Sequence, residues 1–203
     1  KATAQARDLA IAQRKENFVG VNQFPNFNEK IDRQLCACIF EPEDETAEGA
    51  EIETLKPYRG PAAFEAMRLK TDAFSAKNGR PVVYMFPMGN LAMRKARAQF
   101  ACNFFACAGY KIIDNLGFDT VEAGVEAAVK AGAEIVVLCS SDDEYAEFAP
   151  AAYKALAGRA EFVVAGAPAC ADDLKAQGID QFVNVKSNVL ETLKEYNQKL
   201  GIK

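Results

Sequence analysis

Two stretches of sequence decide the fold: Val82-Val83-Tyr84-Met85-Phe86 and Ile135-Val136-Val137-Leu138. Both are continuous apolar runs rich in β-branched side chains, and neither alternates apolar with polar residues as a strand with one solvated face does. Continuous runs of this kind are typical of parallel strands whose two faces are both covered by helices. Three further short apolar runs occur at Tyr110–Ile113, Phe162–Ala165 and Phe182–Val185. The sequence therefore predicts five buried strands.

The spacing of these runs indicates how the strands connect. They begin 20 to 28 residues apart, which is typical of strand–helix–strand units. The intervening segments have helical periodicity: Phe100 and Phe104 share one helix face, and Val121, Val125 and Val129 share another. Parallel strands joined by right-handed helical crossovers form a doubly wound sheet. We therefore expect an α/β fold with a doubly wound five-stranded parallel sheet of the flavodoxin-like kind.

The overall composition restricts the chemistry available to this chain of 203 residues. It has 24 basic and 28 acidic side chains, a formal net charge of −4, and no histidine. The mild acidity argues against binding nucleic acid through phosphate neutralisation, and the missing imidazole excludes histidine as a base, a triad member or a metal ligand. No apolar window is long enough to span a membrane, and the N-terminus shows no secretion signal. We therefore expect a cytoplasmic protein that binds neither nucleic acid nor membrane.

The segment 41–53 differs in composition from the rest of the chain. Its sequence, EPEDETAEGAEIE, carries seven acidic residues in thirteen and no basic residue. Such a run repels itself and buries too little apolar surface to become ordered, so we interpret it as an extended linker. An acid-dense loop could alternatively chelate a divalent cation, although the alternating oxygen-ligand pattern with a turn glycine is missing. The regular strand and helix pattern begins beyond Gly60-Pro61.

In a doubly wound sheet, ligands bind beyond the carboxyl ends of the strands. The loops expected there are Pro87–Met93, Cys139–Asp142 and Ala165–Pro168. The first loop has neither Gly-x-Gly-x-x-Gly nor Gly-Lys-Ser, so it lacks the exposed backbone amides of a phosphate cradle. Arg94, Lys95 and Arg97 lie in the helix after it. We interpret them as a solvated helix face, with contact to an acidic partner or an anionic ligand as the alternative.

The polar residues after the third predicted strand also have two interpretations. Ser140 and Ser141 could act as a nucleophile or as phosphate donors, but without histidine no familiar base accompanies them. Asp142 and Asp143 stand where acidic residues cap a helix, and we expect capping. Asp142, Asp143 and Glu144 could alternatively pair as acid and base, although three adjacent residues at a helix start diverge. The six cysteines are expected to be reduced buried thiols because the chain is long and shows no secretion signal. Cys36-x-Cys38 would need two further thiolates to bind zinc. The sequence therefore predicts no catalytic and no metal-binding residue.

Four segments carry a resemblance to a known family. They are Val19–Phe24, Arg80–Met85, Ala98–Phe105 and Leu138–Ser141, the last followed by Tyr145-Ala146. Together and in this order they resemble the small (beta) subunit of methylmalonyl-CoA mutase, and the similarity covers nearly the whole chain. The resemblance implies that residues 1–24 are the end of a TIM-type substrate barrel and residues 25–60 an acidic linker. Residues 61–203 would form a flavodoxin-like domain similar to a cobalamin-binding domain.

The resemblance also identifies positions at the ligand-binding edge. Cobalamin-binding relatives carry Asp-x-His-x-x-Gly after the first strand, where the histidine coordinates cobalt and the aspartate orients that histidine. These three positions correspond here to Leu91, Met93 and Ala96. The family's Ser-x-Leu falls on Cys139-Ser140-Ser141, and its Gly-Gly falls on Ala165-Gly166. We therefore expect a degenerate pocket that binds no cobalamin, at the positions Leu91, Met93, Ala96, Ser140, Ser141 and Gly166.

The function that the resemblance implies is structural. The chain would be a non-catalytic fragment of the small subunit of adenosylcobalamin-dependent methylmalonyl-CoA mutase, inactive alone and paired in a heterodimer with the large (alpha) subunit. The large subunit would hold adenosylcobalamin and isomerise methylmalonyl-CoA and succinyl-CoA. One alternative is a small-molecule module that still binds cobalamin or a nucleotide at the strand ends. A free-standing enzyme is disfavoured because no acid–base pair or nucleophile stands out.

Overall fold

The computed structural model describes residues 2–31 and 58–203. Five strands form one sheet in the order β2-β1-β3-β4-β5, and every pairing is parallel. The strands are β1 (Val82–Pro87), β2 (Lys111–Ile113), β3 (Ile135–Cys139), β4 (Glu161–Ala165) and β5 (Phe182–Val183). This order is that of the doubly wound flavodoxin-like fold. The predicted fold class is therefore confirmed, and each predicted apolar run overlaps a strand.

Helices cover both faces of the sheet. They are α1 (Ala2–Ala12), α2 (Ala62–Asn78), α3 (Leu91–Ala106), α4 (Val121–Lys130), α5 (Tyr145–Leu156), α6 (Ala171–Ala176) and α7 (Val189–Lys199). One face packs against α1, α2, α3 and α7 in a core that includes Phe64 and Tyr196. The other face packs against α4, α5 and α6, around Leu138 and Leu156. Because β1, β3 and β4 are covered on both sides, they are almost entirely buried, which explains their continuous apolar sequences.

Side-chain caps set where two of these helices begin. The Asn90 side chain accepts hydrogen bonds from the backbone amides of Ala92 and Met93, each at 3.1 Å, at the start of α3. Thr120 accepts from the Ala123 amide at 3.2 Å at the start of α4. The caps place the N-terminal ends of both helices at the carboxyl edge of the sheet, directly after β1 and β2.

Helix α4 approaches the sheet closely at Gly124. A Cβ on Gly124 would overlap the ring of Phe86 in β1, so a larger side chain does not fit without movement. Phe86 is itself fully buried, and its ring meets that of Phe118 edge-on with 5.6 Å between centroids. The missing side chain at Gly124 therefore sets the distance between α4 and β1.

The N-terminal segment, residues 2–31, packs on the same side of the sheet as α3 and α7. Ile11 and Ala12 of α1 are buried in that core. The guanidinium of Arg14 donates a hydrogen bond to the Asn103 carbonyl of α3 at 2.9 Å. Apolar burial and a polar contact therefore both attach the segment to the sheet domain.

Two further arginines hold the end of the N-terminal segment. Arg68 of α2 is almost fully buried and donates to the carbonyls of Asn26 at 2.9 Å and Glu29 at 2.8 Å. Arg80 donates to the carbonyls of Phe27 at 2.8 Å and Glu29 at 2.7 Å. In the N-terminal segment, both guanidinium groups bond to backbone carbonyls. They therefore fix the path of the backbone there and do not depend on the side chains of that segment.

Parts of the predicted organisation fall outside the described residues. The linker expected over 25–60 is described only near its two ends, and its acidic stretch 41–53 lies outside, as do Cys36 and Cys38. Within the described ranges, no helix is both long enough and apolar enough to cross a bilayer.

Candidate functional site

The carboxyl ends of the central strands bring the predicted site loops together. Pro87 at the end of β1 lies opposite Cys139 at the end of β3, and Leu138 lies opposite Val164 in β4. The loops that follow these strands therefore share one edge of the sheet, beside the N-terminal turns of α3 and α5. This carboxyl edge is where a doubly wound fold receives a ligand.

The hydrogen bonds at the carboxyl edge converge on the Glu144 carboxylate. The hydroxyls of Ser140 and Ser141 each donate to Oε2 at 2.7 Å. The backbone amide of Asn90 donates to both carboxylate oxygens at 3.0 Å, and that of Ser141 donates to Oε2 at 3.3 Å. These donors, the Ser140 hydroxyl foremost, lower the pKa of Glu144 to about 2. The carboxylate is therefore ionised at neutral pH.

Gly89 makes room for this carboxylate. Its φ of +68° lies in the left-handed region, and a Cβ at this position would overlap the carboxylate of Glu144. The neighbouring Met88 amide donates to the Cys139 carbonyl at 2.9 Å. The loops after β1 and β3 are thus joined both by backbone and by the Glu144 side chain.

Two arginines of α3 extend over the neighbouring loops. Arg97 pairs with Asp142 at 2.9 Å, and Arg94 donates to the Gly89 carbonyl at 3.2 Å. A Cβ on Gly117 would lie 2.6 Å from the Arg94 guanidinium carbon, so this side chain covers the loop after β2. The predicted solvated helix face is therefore wrong for these two arginines, because groups of the same chain bind both guanidinium ions.

The two aspartates after β3 do not cap α5 as expected. The helix begins at Tyr145, and no side-chain oxygen of the preceding residues caps its first amides. Asp142 turns to Arg97 instead, and Asp143 is exposed. The reason is that a guanidinium lies within reach of Asp142, and a hydrogen bond between two charged groups is stronger than a cap to a neutral amide.

Tyr145 closes the space between the ends of β3 and β4. Its buried hydroxyl accepts a hydrogen bond from the Ser140 amide at 3.0 Å and donates to the Ala165 carbonyl at 2.5 Å. Burial raises the pKa of Tyr145 above its ordinary value, so the hydroxyl stays protonated. A Cβ on Gly166 would lie 3.3 Å from the Tyr145 ring. The tyrosine therefore ties the two strand ends together.

The structure separates the predicted pocket positions into two groups. One group lies in the loops after β3 and β4 and comprises Ser140, Ser141 and Gly166. The other lies on the exposed first turns of α3 and comprises Leu91, Met93 and Ala96. Leu91 is 66% exposed and Met93 is 37% exposed. Only the serines of the first group donate side-chain hydrogen bonds to Glu144.

From the sequence, Glu144 is considered only as a possible acid–base partner of Asp142 and Asp143, and its hydrogen bonds are missed although one local signal for them is present. Ser141-Asp142-Asp143-Glu144 matches the capping-box pattern, in which a glutamate reaches back to the amide of a serine three residues earlier. That pattern predicts the contact with Ser141. It carries no information about the contact with Asn90, which depends on the pairing of β1 with β3.

The cysteines and acidic residues show no metal-binding arrangement where the structure describes them. Across residues 2–31 and 58–203, no three cysteine, aspartate or glutamate side chains are grouped to hold a metal ion. The cysteines in these ranges, Cys102, Cys107, Cys139 and Cys170, are free thiols, and the first three are buried. Burial raises the pKa of Cys102 to about 12, which keeps this thiol protonated and poorly reactive.

Comparison with curated proteins finds small subunits of methylmalonyl-CoA mutase. That of Porphyromonas gingivalis is 58% identical over 206 aligned positions, which cover 97% of this chain and 31% of that protein. That of Streptomyces virginiae is 31% identical over 99% of this chain and 30% of its own length. A probable small subunit of Mycobacterium bovis is 32% identical over 94% of this chain and 29% of its own length. A scan against protein-family models finds no match.

These alignments confirm the resemblance that the four sequence segments indicate. The chain spans 29–31% of the length of these relatives, and the alignments include the strands and loops of the carboxyl edge. Over the region that it shares with them, this chain is homologous to proteins named methylmalonyl-CoA mutase small subunit.

Proposed function

We propose that the chain is a structural, non-catalytic part of the small subunit of methylmalonyl-CoA mutase. In this proposal it acts in the cytoplasm in a heterodimer with the large subunit, which holds adenosylcobalamin and interconverts methylmalonyl-CoA and succinyl-CoA. The chain itself binds no cobalamin. The naming of its relatives as small subunits supports a large-subunit partner. The position of the Glu144 carboxylate at the carboxyl edge is the observation that carries the structural role.

The first support is the chemistry of the position that would face cobalt. An axial protein ligand needs a lone pair that is oriented and strengthened by a second group, as an imidazole bonded to a carboxylate provides. The chain has no histidine, and Met93 at the corresponding position offers a neutral, half-exposed thioether. Leu91, at the position of the orienting carboxylate, has no polar side-chain atom with which to hold that thioether.

The second support is that side chains of this chain lie in the space at the carboxyl edge. A corrinoid with its nucleotide tail needs an open crevice between the loops after β1, β3 and β4. In this chain the Glu144 carboxylate lies against Gly89, and the Tyr145 hydroxyl bridges the ends of β3 and β4. Arg97 and Asp142 form an ion pair between α3 and the loop after β3. The residues at this edge therefore do not fit a corrinoid.

Assembly with the large subunit tests the proposal. The chain is mixed with the large subunit of methylmalonyl-CoA mutase and examined by native mass spectrometry, with the Porphyromonas gingivalis small subunit as the positive control. We expect a one-to-one complex. We also expect no succinyl-CoA from methylmalonyl-CoA when the chain is incubated with adenosylcobalamin alone. Turnover by the chain alone, or no complex where the control assembles, would refute the proposal.

Met93 is the position that corresponds to the cobalt-coordinating histidine of cobalamin-binding relatives. A substitution there separates a structural role from a role in cofactor binding. If the carboxyl edge takes no corrinoid, Met93→Ala should leave the kcat and KM of the reconstituted mutase within about twofold of the unsubstituted complex. Lys95→Ala, an exposed position on the same helix, is the matched control. A large loss of kcat confined to Met93→Ala would show that this side chain contributes to the cofactor site.

A further inference from the structure

The hydrogen-bond donors around Glu144 form a pocket of their own. Two hydroxyls and two backbone amides, contributed by Asn90, Ser140 and Ser141, are directed at one carboxylate. They come from the loops after β1 and β3, so the pairing of two strands holds them in place. Gly89 supplies the space, because the carboxylate lies where a Cβ of that residue would be.

We infer that these groups form an oxyanion pocket that the chain fills with its own Glu144. The ligand class that fits is a small carboxylate, since the pocket holds a carboxylate in the native chain. Oε2 alone receives both serine hydroxyls at 2.7 Å, and the Asn90 amide reaches both oxygens at 3.0 Å. Such a concentration of charge-assisted hydrogen bonds is typical of an anion site.

Helix capping accounts for only part of this arrangement. The contact from the Ser141 amide is the capping-box contact, and at 3.3 Å it is the longest of the set. The Ser140 hydroxyl comes from the same loop but lies outside the capping box, and the Asn90 amide comes from the loop after β1. Ser140 is fully buried, so without the carboxylate its hydroxyl would keep only the Met88 carbonyl, at 3.0 Å, as an acceptor. The carboxylate is therefore held by donors from two separate loops, which a helix cap alone does not require.

Two guanidinium groups of α3 lie near the pocket, and the one of Arg97 is paired with Asp142. Arg94 bonds to the Gly89 carbonyl, and Arg97 lies close to Gly166. The Nε atoms of both arginines are buried and lack a hydrogen-bond partner within the part of the chain that the structure describes. The low pKa of Glu144 agrees with this geometry, because the surrounding donors favour the ionised carboxylate.

Removal of the Glu144 side chain tests the inference. Glu144→Ala deletes Cγ and the carboxylate, a fragment that acetate can replace. We follow thermal unfolding of the variant near neutral pH with increasing sodium acetate, and with sodium chloride at the same ionic strength. A saturable rise in Tm of about 3 °C or more is expected in acetate only. A saturable shift of the Asn90 amide resonance in NMR spectra is expected over the same acetate range.

Three controls test whether the response of Glu144→Ala to acetate comes from the pocket around the missing carboxylate. The unsubstituted chain and Glu144→Gln should not respond to acetate, because a side chain of full length still occupies the pocket. Asp143→Ala, which removes an exposed carboxylate from the same turn, should not respond either. Adding Ser141→Ala to Glu144→Ala removes one donor and should weaken acetate binding about tenfold or more.

Other outcomes would overturn the inference. These are an equal response in chloride, an equal response of Asp143→Ala, no shift of the Asn90 resonance, or saturation by inorganic phosphate without saturation by acetate. If Glu144→Ala is recovered unfolded, the yield of refolding in acetate and in chloride replaces Tm. A higher yield in acetate supports the pocket, and equal yields refute it. No corrinoid is present in these assays, so their outcome is independent of cobalamin binding.

Discussion

The backbone amide of Asn90 donates to both carboxylate oxygens of Glu144 at 3.0 Å, which connects the loop after β1 with the loop after β3. The two residues are 54 positions apart in sequence and become neighbours only because β1 and β3 pair in the sheet. The charged side chain of Glu144 thus occupies the edge where a doubly wound fold receives ligands. The chain has the flavodoxin-like fold, and its own polar groups bond to one another at this edge.

The low pKa of Glu144 predicts a specific loss of stability in acid. The folded-state pKa of about 2 lies below the ordinary value of 4.5 because the Ser140 hydroxyl and the other donors favour the ionised form. The carboxylate therefore stabilises the native state fully above the ordinary pKa, and this contribution is lost as the pH falls toward the folded-state pKa. Glu144→Gln cannot titrate and should lack this dependence.

Urea unfolding at stepped pH measures this effect. The difference in free energy of unfolding between the unsubstituted chain and Glu144→Gln should shrink steadily from about pH 5 to about pH 3. Asp143→Asn, in the same turn but exposed, serves as the matched control. A difference that stays constant over this range would mean that the pKa of Glu144 is not lowered by folding.

Gly124→Ala should destabilise the protein, although alanine is the better helix former by about 1 kcal/mol. The new methyl group would overlap the ring of Phe86, and overpacking of a core costs about 1–3 kcal/mol. We expect urea unfolding to show a net loss of free energy of unfolding. Glu126→Ala on the exposed side of α4 should change it by less than about 0.5 kcal/mol. A more stable Gly124→Ala variant would contradict the close packing of α4 on β1.

Arg68→Met should loosen the N-terminal segment. The substitution replaces the aliphatic stem of Arg68 with the methionine side chain but removes the guanidinium and its hydrogen bonds to the carbonyls of Asn26 and Glu29. We expect a loss of about 2–4 kcal/mol in free energy of unfolding. Hydrogen exchange should become faster in residues 2–31 than in the central strands. Lys70→Met, an exposed substitution in the same helix, is the control, and unchanged exchange in Arg68→Met would exclude the anchoring role.

The strands of this fold could be predicted from sequence because burial on both faces leaves a continuous apolar run, as in Ile135–Leu138. The helices could be predicted because residues such as Phe100 and Phe104 repeat at helical spacing. Both signals are local, and right-handed crossovers between buried parallel strands then favour a doubly wound sheet. The architecture therefore required no knowledge of individual side-chain contacts.

The carboxyl edge could not be predicted in the same way. Arg97 and Asp142 are 45 residues apart, and a charged residue on a helix looks the same in sequence whether it meets solvent or a carboxylate. The capping-box pattern identifies the contact of Glu144 with Ser141 but not its contact with Asn90. These interactions depend on which loops the sheet brings together, so they appear only with the tertiary structure.

A spectroscopic titration of the chain with adenosylcobalamin and hydroxocobalamin tests most directly whether the carboxyl edge takes a corrinoid. We predict the unchanged absorption spectrum of free cobalamin at every protein concentration, and separation of the coloured cofactor from the chain on gel filtration. A saturable conversion to the base-off spectrum, with cobalamin eluting together with the chain, would contradict the structural role proposed for this protein.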